Sequence, residues 1–252
     1  MNWPEQLVIV RHGQSAGNVA RDAAHEALVD RIALDVRDAD VPLSDLGKQQ
    51  ASALGEWFSQ LPRSERPTVL LSSPYRRAIQ TAEHFQRAGG ALEGSVIGFD
   101  ERLREKEFGI LDGLTTSGVA NIYPEQAEFR RLLGKFYHRP PGGESWCDVI
   151  LRLRSVLDTI SLHYSGKRVI IFTHQVVVLC MRYIIEGLDE ATILAIDREG
   201  DVANCAITDY GFDPQAGVDG GLTLRRYNVT APEGAPIMPV TSAPDQIAGR
   251  RG

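Results

Sequence analysis

Two histidines in this chain each follow an apolar run, and both could act on a phosphoryl group. His12 follows residues 7–10, which read L-V-I-V, and His174 follows residues 169–173, which read V-I-I-F-T. Arg11 directly precedes the first histidine. An imidazole can act as a nucleophile, and a guanidinium binds phosphate oxygens through a planar fork. These residue types predict a site at which a histidine attacks phosphorus.

A third apolar run, residues 69–72, leads into a segment whose first residues carry cations. Residues 73–82 read S-P-Y-R-R-A-I-Q-T-A and predict a helix with Arg76 and Arg77 in its first turn. The amino end of a helix favours an anion, and fixed cations strengthen that preference. No aspartate accompanies these three strand ends, so we expect the positive charge of the site to remain unneutralised.

The apolar runs are continuous rather than alternating, which predicts strands buried on both faces of a parallel sheet. Ligands of such sheets bind beyond the carboxyl ends of the strands. Strand-like runs near residues 7, 69, 96 and 169 alternate with helical patterns at 45–60, 75–87, 145–163 and 175–186, and 205–212 and 222–229 predict an antiparallel hairpin. We therefore expect an α/β fold: a single three-layer domain with a mostly parallel central sheet, an antiparallel edge strand and helices on both faces.

The predicted domain covers residues 1–229. Residues 230–252 are rich in proline, glycine and polar residues, which predicts a flexible C-terminal tail.

Between the first histidine and the next helix, residues 19–40 carry Ala24, Leu28, Ile32 and Val36 at four-residue spacing. This spacing predicts a helix that roofs the crevice.

Four blocks in order resemble the histidine phosphatase superfamily, the phosphoglycerate mutase-like group. They are R-H-G at 11–13, D-V-P-L-S-D-L-G at 40–47, S-S-P-Y-R-R-A-I-Q-T-A at 72–82 and T-H at 173–174. The resemblance extends over about residues 7–187. It implies that His12 becomes phosphohistidine, that Arg11, Arg77 and His174 hold the phosphate, and that Asn18 contacts it. Arg76 is then a solvated helix residue.

The resemblance also implies a proton donor in residues 103–109, which read L-R-E-K-E-F-G. Glu105 matches the position of the family's glutamate, and Glu107 is the competing carboxylate. A carboxylic acid can protonate a departing alkoxide when its pKa is raised towards the working pH. We further expect Ser15 to donate a hydrogen bond to phosphate. Gln175 replaces the usual glycine, and we expect it to narrow the pocket or contact the substrate.

Residues 138–145, which read H-R-P-P-G-G-E-S, predict a loop that ends at a helix start. The G-E-S is similar to that of phosphatases in the family, and two roles stay open: shaping the substrate pocket, or simply capping the helix.

Hydrolysis and phosphoryl transfer within the family differ in what accepts the phosphoryl group. Mutases of the cofactor-dependent kind have a longer insertion before the helix that follows Glu144, and here only residues 105–144 are available. This short connection leaves less chain to exclude water, which favours hydrolysis. The predicted function is a metal-independent phosphomonoesterase that acts through phosphohistidine on a small phosphorylated metabolite. The alternative is a phosphoglycerate mutase-type phosphotransferase.

Three further classes fit less well. Residues 13–17, G-Q-S-A-G, match a nucleophile elbow with Ser15 as a serine hydrolase nucleophile, but such an elbow needs earlier strands and an oxyanion loop upstream. A metal hydrolase would need carboxylates beside the histidines, so we expect no metal and no cofactor. A non-catalytic phosphate-binding module would tolerate loss of His12 or Glu105, and both are present.

Composition limits the partners. The chain has 252 residues, of which 43% are hydrophobic, and a net charge of -6, which argues against general nucleic-acid binding. No apolar stretch approaches the roughly 20 residues of a membrane span, and the amino terminus lacks a signal pattern, so we expect a cytoplasmic protein without membrane contact. Cys147, Cys180 and Cys205 lack metal-type spacing and predict reduced thiols. The sequence leaves a homo-oligomer open.

Overall fold

A computed structural model describes residues 3–230 of the chain and contains one sheet of six strands. In chain order these are β1 (Gln6–Arg11), β2 (Val69–Ser72), β3 (Ile97–Phe99), β4 (Arg168–Thr173), β5 (Ile207–Asp213) and β6 (Gly221–Val229). The strand order is β3-β2-β4-β1-β5-β6; β1 to β4 pair in parallel, and β5 pairs antiparallel with β1 and β6. This confirms the predicted sheet. Apart from Thr230, the predicted tail of residues 230–252 lies outside the described residues.

Eight helices accompany the sheet in the described part of the chain. They are α1 (Ala16–Glu26), α2 (Asp45–Ser59), α3 (Arg76–Arg87), α4 (Thr116–Ile122), α5 (Pro124–Tyr137), α6 (Trp146–His163), α7 (Gln175–Ile185) and α8 (Glu190–Glu199). Four match the helical stretches expected from sequence, whereas α4, α5 and α8 were not predicted. None of the helices within residues 3–230 is long and apolar enough to cross a membrane.

The two faces of β1 bury different layers of the core. Leu7 and Ile9 belong to a cluster with the apolar faces of α6 and α7, whereas Val8 and Val10 pack in a second cluster with α2 and α3. Successive side chains of a strand point to opposite faces, so a continuous apolar run buries both. The three-layer architecture is therefore as predicted.

The strand register brings the motifs to one edge. Arg11 at the end of β1 lies opposite Thr173 at the end of β4, and the backbone N–H of His12 donates to the carbonyl of Thr173 over 2.8 Å. Ser72 at the end of β2 lies opposite Phe172 of β4. The residues that follow all three strands consequently meet at the same carboxyl edge.

The helix expected over residues 19–40 is only partly correct. Helix α1 ends at Glu26, and Leu28, which is 84% exposed, has a positive φ of 53° that ends the helical path. Residues 28–40, here called the cap segment, instead contact residues 113–121 through residues 29–32. The N–H of Ile32 donates to Gly113 O over 2.9 Å, and the N–H of Thr115 donates to Asp30 O over 3.0 Å. These tertiary hydrogen bonds replace the helical ones.

Candidate active site

His12 is neutral and held in one tautomer. Its Nδ1 lies 2.7 Å from the carbonyl oxygen of Gly13, which can only accept, so Nδ1 carries the proton and Nε2 has the lone pair. The ring is buried, and burial together with the nearby Arg77 and Arg11 holds the pKa of His12 well below its usual value. The Nε2 lone pair is therefore not used by the hydrogen bond to Gly13 O.

The turn that carries His12 is fixed by close contact between two backbones. The N–H of Gly13 donates to Thr81 Oγ1 over 3.1 Å. A Cβ on Gly13 would lie 2.5 Å from Gly47 O, and a Cβ on Gly47 would lie 2.0 Å from Gln14 O. Both contacts are shorter than any real Cβ contact, so only glycine fits at these positions. The R-H-G turn therefore rests directly on the start of α2.

His174 lies against His12 at the start of α7. The two ring centroids are 5.2 Å apart with a 63° interplanar angle, and His174 Nε2 is 2.8 Å from Ser73 Oγ. Burial, followed by the charge of Arg77, holds the pKa of His174 well below its usual value. Among the described residues, His174 Nδ1 is buried without a hydrogen-bond partner.

Arg11 is buried beside His12 and donates from Nη1 to the carbonyl of Val202. Burial lowers its pKa to about 10 against the opposing charge of Asp201, so the guanidinium stays protonated at neutral pH. Gln175 holds the same segment, since its Oε1 accepts from the N–H of Val202 over 2.9 Å. The expectation that Gln175 narrows the pocket or contacts the substrate stays a prediction. Its amide reaches the segment behind Arg11 and does not line the cavity.

Arg77 forms a bidentate ion pair with Asp38 of the cap segment. Nη1 is 2.9 Å from Oδ1, Nη2 is 3.0 Å from Oδ2, and Nη1 also donates to the Asp38 carbonyl over 2.6 Å. The expectation that no aspartate neutralises the site is therefore wrong, because the cap segment folds back from a distant part of the sequence. Arg76 is exposed, as predicted.

Two carboxylates compete for the role of proton donor, and the structure places them differently. Glu105 is 1% exposed, accepts the N–H of Lys106 at Oε1 over 2.8 Å, and interacts electrostatically with Arg11 and Arg21. The side chain of Glu107 is 46% exposed and accepts the hydroxyl of Tyr75 over 2.7 Å. Glu105 is thus the carboxylate that shares the buried electrostatic environment of Arg11.

The G-E-S segment supports the loop that carries Glu105. Glu144 pairs with Arg104 over 2.8 Å and with Arg152 over 2.9 Å, and it accepts the N–H of Glu107 over 3.1 Å. Arg152 Nη2 in turn donates to the carbonyl of Glu105 over 3.2 Å. The segment that follows His138 therefore braces the carboxylate loop and does not line the cavity.

A cavity of about 370 Å³ opens in front of His12, a volume that suits a small metabolite. Its lining is His12, Ser15, Gly17, Asn18, Arg21, Arg31, Ile32, Leu34, Val36, Asp38, Arg77, Asp112 and Gly113. The predicted residues Arg11, Glu105 and His174 are buried outside this lining. A second cavity, of about 480 Å³, is lined by residues of the 63–66 and 86–94 segments and contains none of the predicted site residues.

Ser15 is committed to the start of α1. Its Oγ donates to Asn18 Oδ1 over 2.9 Å and accepts the N–H of Asn18 over 3.1 Å, which forms a capping box. A serine nucleophile needs a base within hydrogen-bond reach, and here the partner is an amide rather than a histidine. Ser15 and Asn18 both line the cavity, and the phosphate contacts expected of them stay predictions.

Several lining residues escaped the sequence analysis. Asp38 and Arg31 belong to the irregular cap segment, whose path leaves no local signal. Arg21 could have been identified from the sequence. It follows Asn18 by three residues, so the two side chains lie on the same face of α1. Within residues 3–230 no group of three or more His, Cys, Asp or Glu side chains is arranged to hold a metal ion.

The fold and the site define an α/β protein whose parallel-strand edge holds two neutral histidines among arginines. The chain belongs to the histidine phosphatase superfamily, branch 1, whose family model matches residues 7–228. This confirms the resemblance carried by the four sequence blocks.

Relatives within the superfamily have several names. A 6-phosphofructo-2-kinase/fructose-2,6-bisphosphatase of Caenorhabditis elegans is 30% identical over 179 residues, which is 71% of this chain and 33% of the relative. A probable phosphoglycerate mutase of Yersinia enterocolitica is 25% identical over 228 residues, covering 90% of this chain and 94% of the relative. The chain spans only a third of the length of the first of these proteins.

Solved structures share the fold over most of the chain. A structure described as mycobacterial hydrolase 1 superposes with a TM-score of 0.70 at 25% identity, covering 90% of this chain and all of the other. A mycobacterial glucosyl-3-phosphoglycerate phosphatase in complex with VO3 has a TM-score of 0.67 at 25% identity, with the same coverage.

Proposed function

We propose that this protein is a metal-independent phosphomonoesterase that acts on a small phosphorylated metabolite through a phosphohistidine. The observation that carries the proposal is the 2.7 Å contact between His12 Nδ1 and Gly13 O, which leaves Nε2 of a neutral imidazole as the nucleophile. Superfamily membership and the phosphatase and bisphosphatase names among its relatives support hydrolysis.

In the first step, His12 Nε2 attacks phosphorus and the ester P–O bond breaks. The electron pair goes to the leaving oxygen, which takes a proton from the carboxylic acid of Glu105. Arg77 lines the cavity while paired with Asp38 and faces the phosphate oxygens with its positive charge, and Arg11 adds a second fixed cation. Stabilisation of charge by preorganised cations is the main part of phosphoryl-transfer catalysis.

In the second step, water attacks the phosphorus of phosphohistidine. The N–P bond breaks and returns the lone pair to Nε2, while the Glu105 carboxylate accepts the proton of the water. Inorganic phosphate leaves, and the carboxylic acid of Glu105 is restored for the next substrate.

The second candidate is a phosphotransferase of the mutase type, which the near full-length similarity to a probable phosphoglycerate mutase favours. The same phosphohistidine would then be passed to a hydroxyl group of a second molecule instead of water. The two candidates share the first step and differ only in the acceptor.

The test measures phosphate release from 4-nitrophenyl phosphate in the presence of a metal chelator. The wild type should release phosphate, and His12→Ala should lose at least about 1000-fold of this activity, because the nucleophile is gone. His25→Ala, which removes an exposed histidine of α1, is the matched control and should keep full activity.

Acid-free rapid quenching and mass analysis of the peptide that contains His12 should detect the phosphorylated form in the wild type. Turnover by His12→Ala, or loss of wild-type turnover on chelation, would refute the proposal. Isomerisation of a phosphoglycerate faster than phosphate release would favour the phosphotransferase.

A further inference from the structure

The cavity holds more cations than the transfer of one phosphate uses. Arg77 lines it and Arg11 lies buried beside His12, and both are assigned to the reacting group. Arg21 and Arg31 line the same cavity and have no part in the two steps. Arg31 is exposed on the cap segment, whereas Arg21 extends from α1, one turn beyond Asn18.

Arg21 has a guanidinium nitrogen whose hydrogen-bonding capacity is unused in the described chain. Within residues 3–230 its Nη1 is buried and has no hydrogen-bond partner. Asp38 is the opposing carboxylate with the largest effect on Arg21, and both of its oxygens accept hydrogen bonds from Arg77. Asp22 and Glu105 have smaller effects, and neither forms a hydrogen bond with Nη1. A buried donor without a partner costs free energy of folding, and the cost is larger for a charged group. A ligand that carries an anion would remove this cost.

Carboxylates also face the cavity and limit what can bind there. Asp38 is neutralised by Arg77, and Asp112 accepts the N–H of Gly113 over 3.0 Å. Three arginines thus face two aspartates across the lining. Ile32, Leu34 and Val36 form an apolar wall beside the arginines, which strengthens electrostatic contacts by lowering the local dielectric.

We infer that the Arg21 side of the cavity binds a second anionic group of the substrate, a carboxylate or a second phosphate, while the first phosphate faces His12. The inference rests on the proposed function, because the reacting phosphate is assigned to His12. It narrows the substrate class to phosphate esters with two anionic groups within one small molecule.

The test is calorimetric binding of two phosphonates, which mimic the ester but cannot be hydrolysed. 4-Carboxybenzylphosphonate carries a second anion, and 4-carbamoylbenzylphosphonate is its neutral counterpart of the same shape. We expect the wild type to prefer the carboxylate about tenfold, the size of one charge-assisted hydrogen bond. Arg21→Gln should abolish the preference and leave binding of the carboxamide within about twofold.

Arg76→Gln is the matched control, since Arg76 is exposed and outside the cavity. It should retain the tenfold preference. Thermal unfolding supplies a second readout. If the unpartnered Nη1 of Arg21 serves the ligand, Arg21→Gln should not lower the unfolding temperature, whereas a structural role of Arg21 predicts a lower one.

Three outcomes overturn the inference: no preference in the wild type, a preference that survives in Arg21→Gln, or equal weakening of both ligands in that variant. Binding needs no turnover, so the two proposals fail separately. A protein that prefers the carboxylate but hydrolyses no aryl phosphate refutes the proposed function alone. A phosphatase without the preference, or one that binds neither phosphonate, refutes the second subsite alone.

Discussion

The two sides of the cavity are built differently. On the strand side, Arg11, His12 and His174 are buried and form hydrogen bonds with the backbone or side chains of neighbouring residues. On the cap side, Arg77 is tied to a partly exposed Asp38, and Arg21 has a buried nitrogen without a partner in the described chain. The strand side therefore offers a fixed geometry for the chemical step, whereas the cap side offers contacts that a ligand can exchange or complete.

The largest expected effect is a loss of stability on the strand side. In Gly47→Ala the new Cβ would lie 2.0 Å from Gln14 O, and this atom belongs to backbone that cannot move aside. We expect a loss of about 3 kcal/mol in the free energy of unfolding, measured by urea denaturation. The control is Gly200→Ala, whose Cβ would meet nothing within 4 Å and whose backbone is extended. Equal effects of the two substitutions would show that the turn is not rigid.

A second effect follows from the two neutral histidines of the strand side. Their pKa values are lowered in the folded protein, so below about pH 6.5 the unfolded chain binds protons that the folded one does not. Stability should be complete above this pH and should fall by about 1.4 kcal/mol per pH unit for each histidine as the pH decreases.

Urea denaturation at pH 7.5 and pH 5.5 measures this slope. His174→Asn should remove one histidine's share of it, whereas His25→Asn, at an exposed position, should leave it unchanged. The same slope in His174→Asn as in the wild type would contradict a neutral buried imidazole.

The smallest effect is expected on the cap side. Asp38→Asn removes the carboxylate that occupies the fork of Arg77, so inorganic phosphate should bind about fivefold more tightly, the size of one partly exposed ion pair. Asp40→Asn breaks an exposed pair with Arg37 on the same turn and should not alter binding. Weaker binding by Asp38→Asn in calorimetry would mean that Asp38 orients Arg77, and the cap side would then be as rigid as the strand side.

The same contrast governs what could be predicted from sequence. The positions of His12 and His174 follow from local patterns, because a continuous apolar run determines a buried strand and the parallel register determines where it ends. The path of the cap segment does not, because it depends on hydrogen bonds to Gly113 and Thr115, about 80 residues further along the chain. The four-residue spacing predicted a helix there, yet Leu28 and Val36 are exposed.

The ion pair between Arg77 and Asp38 was missed for the same reason. No sequence pattern around either residue predicts the other as its partner, because only the folded cap segment brings them together. Gln175 makes a contact that its sequence position did not indicate. Its position after His174 suggests a substrate contact, and its amide also reaches the segment that holds Arg11.

The contact between the cap segment and α4 has a consequence for engineering. A Cβ on Gly118 would lie 2.0 Å from Asp30 O, and Thr115 binds the backbone of the cap segment at Val29 and Asp30. The cap segment and residues 113–121 thus form one interlocked unit assembled from two separate stretches of chain. A chimaera that transplants substrate preference onto a related scaffold has to exchange both stretches together, since either one alone would meet a partner surface of the wrong shape.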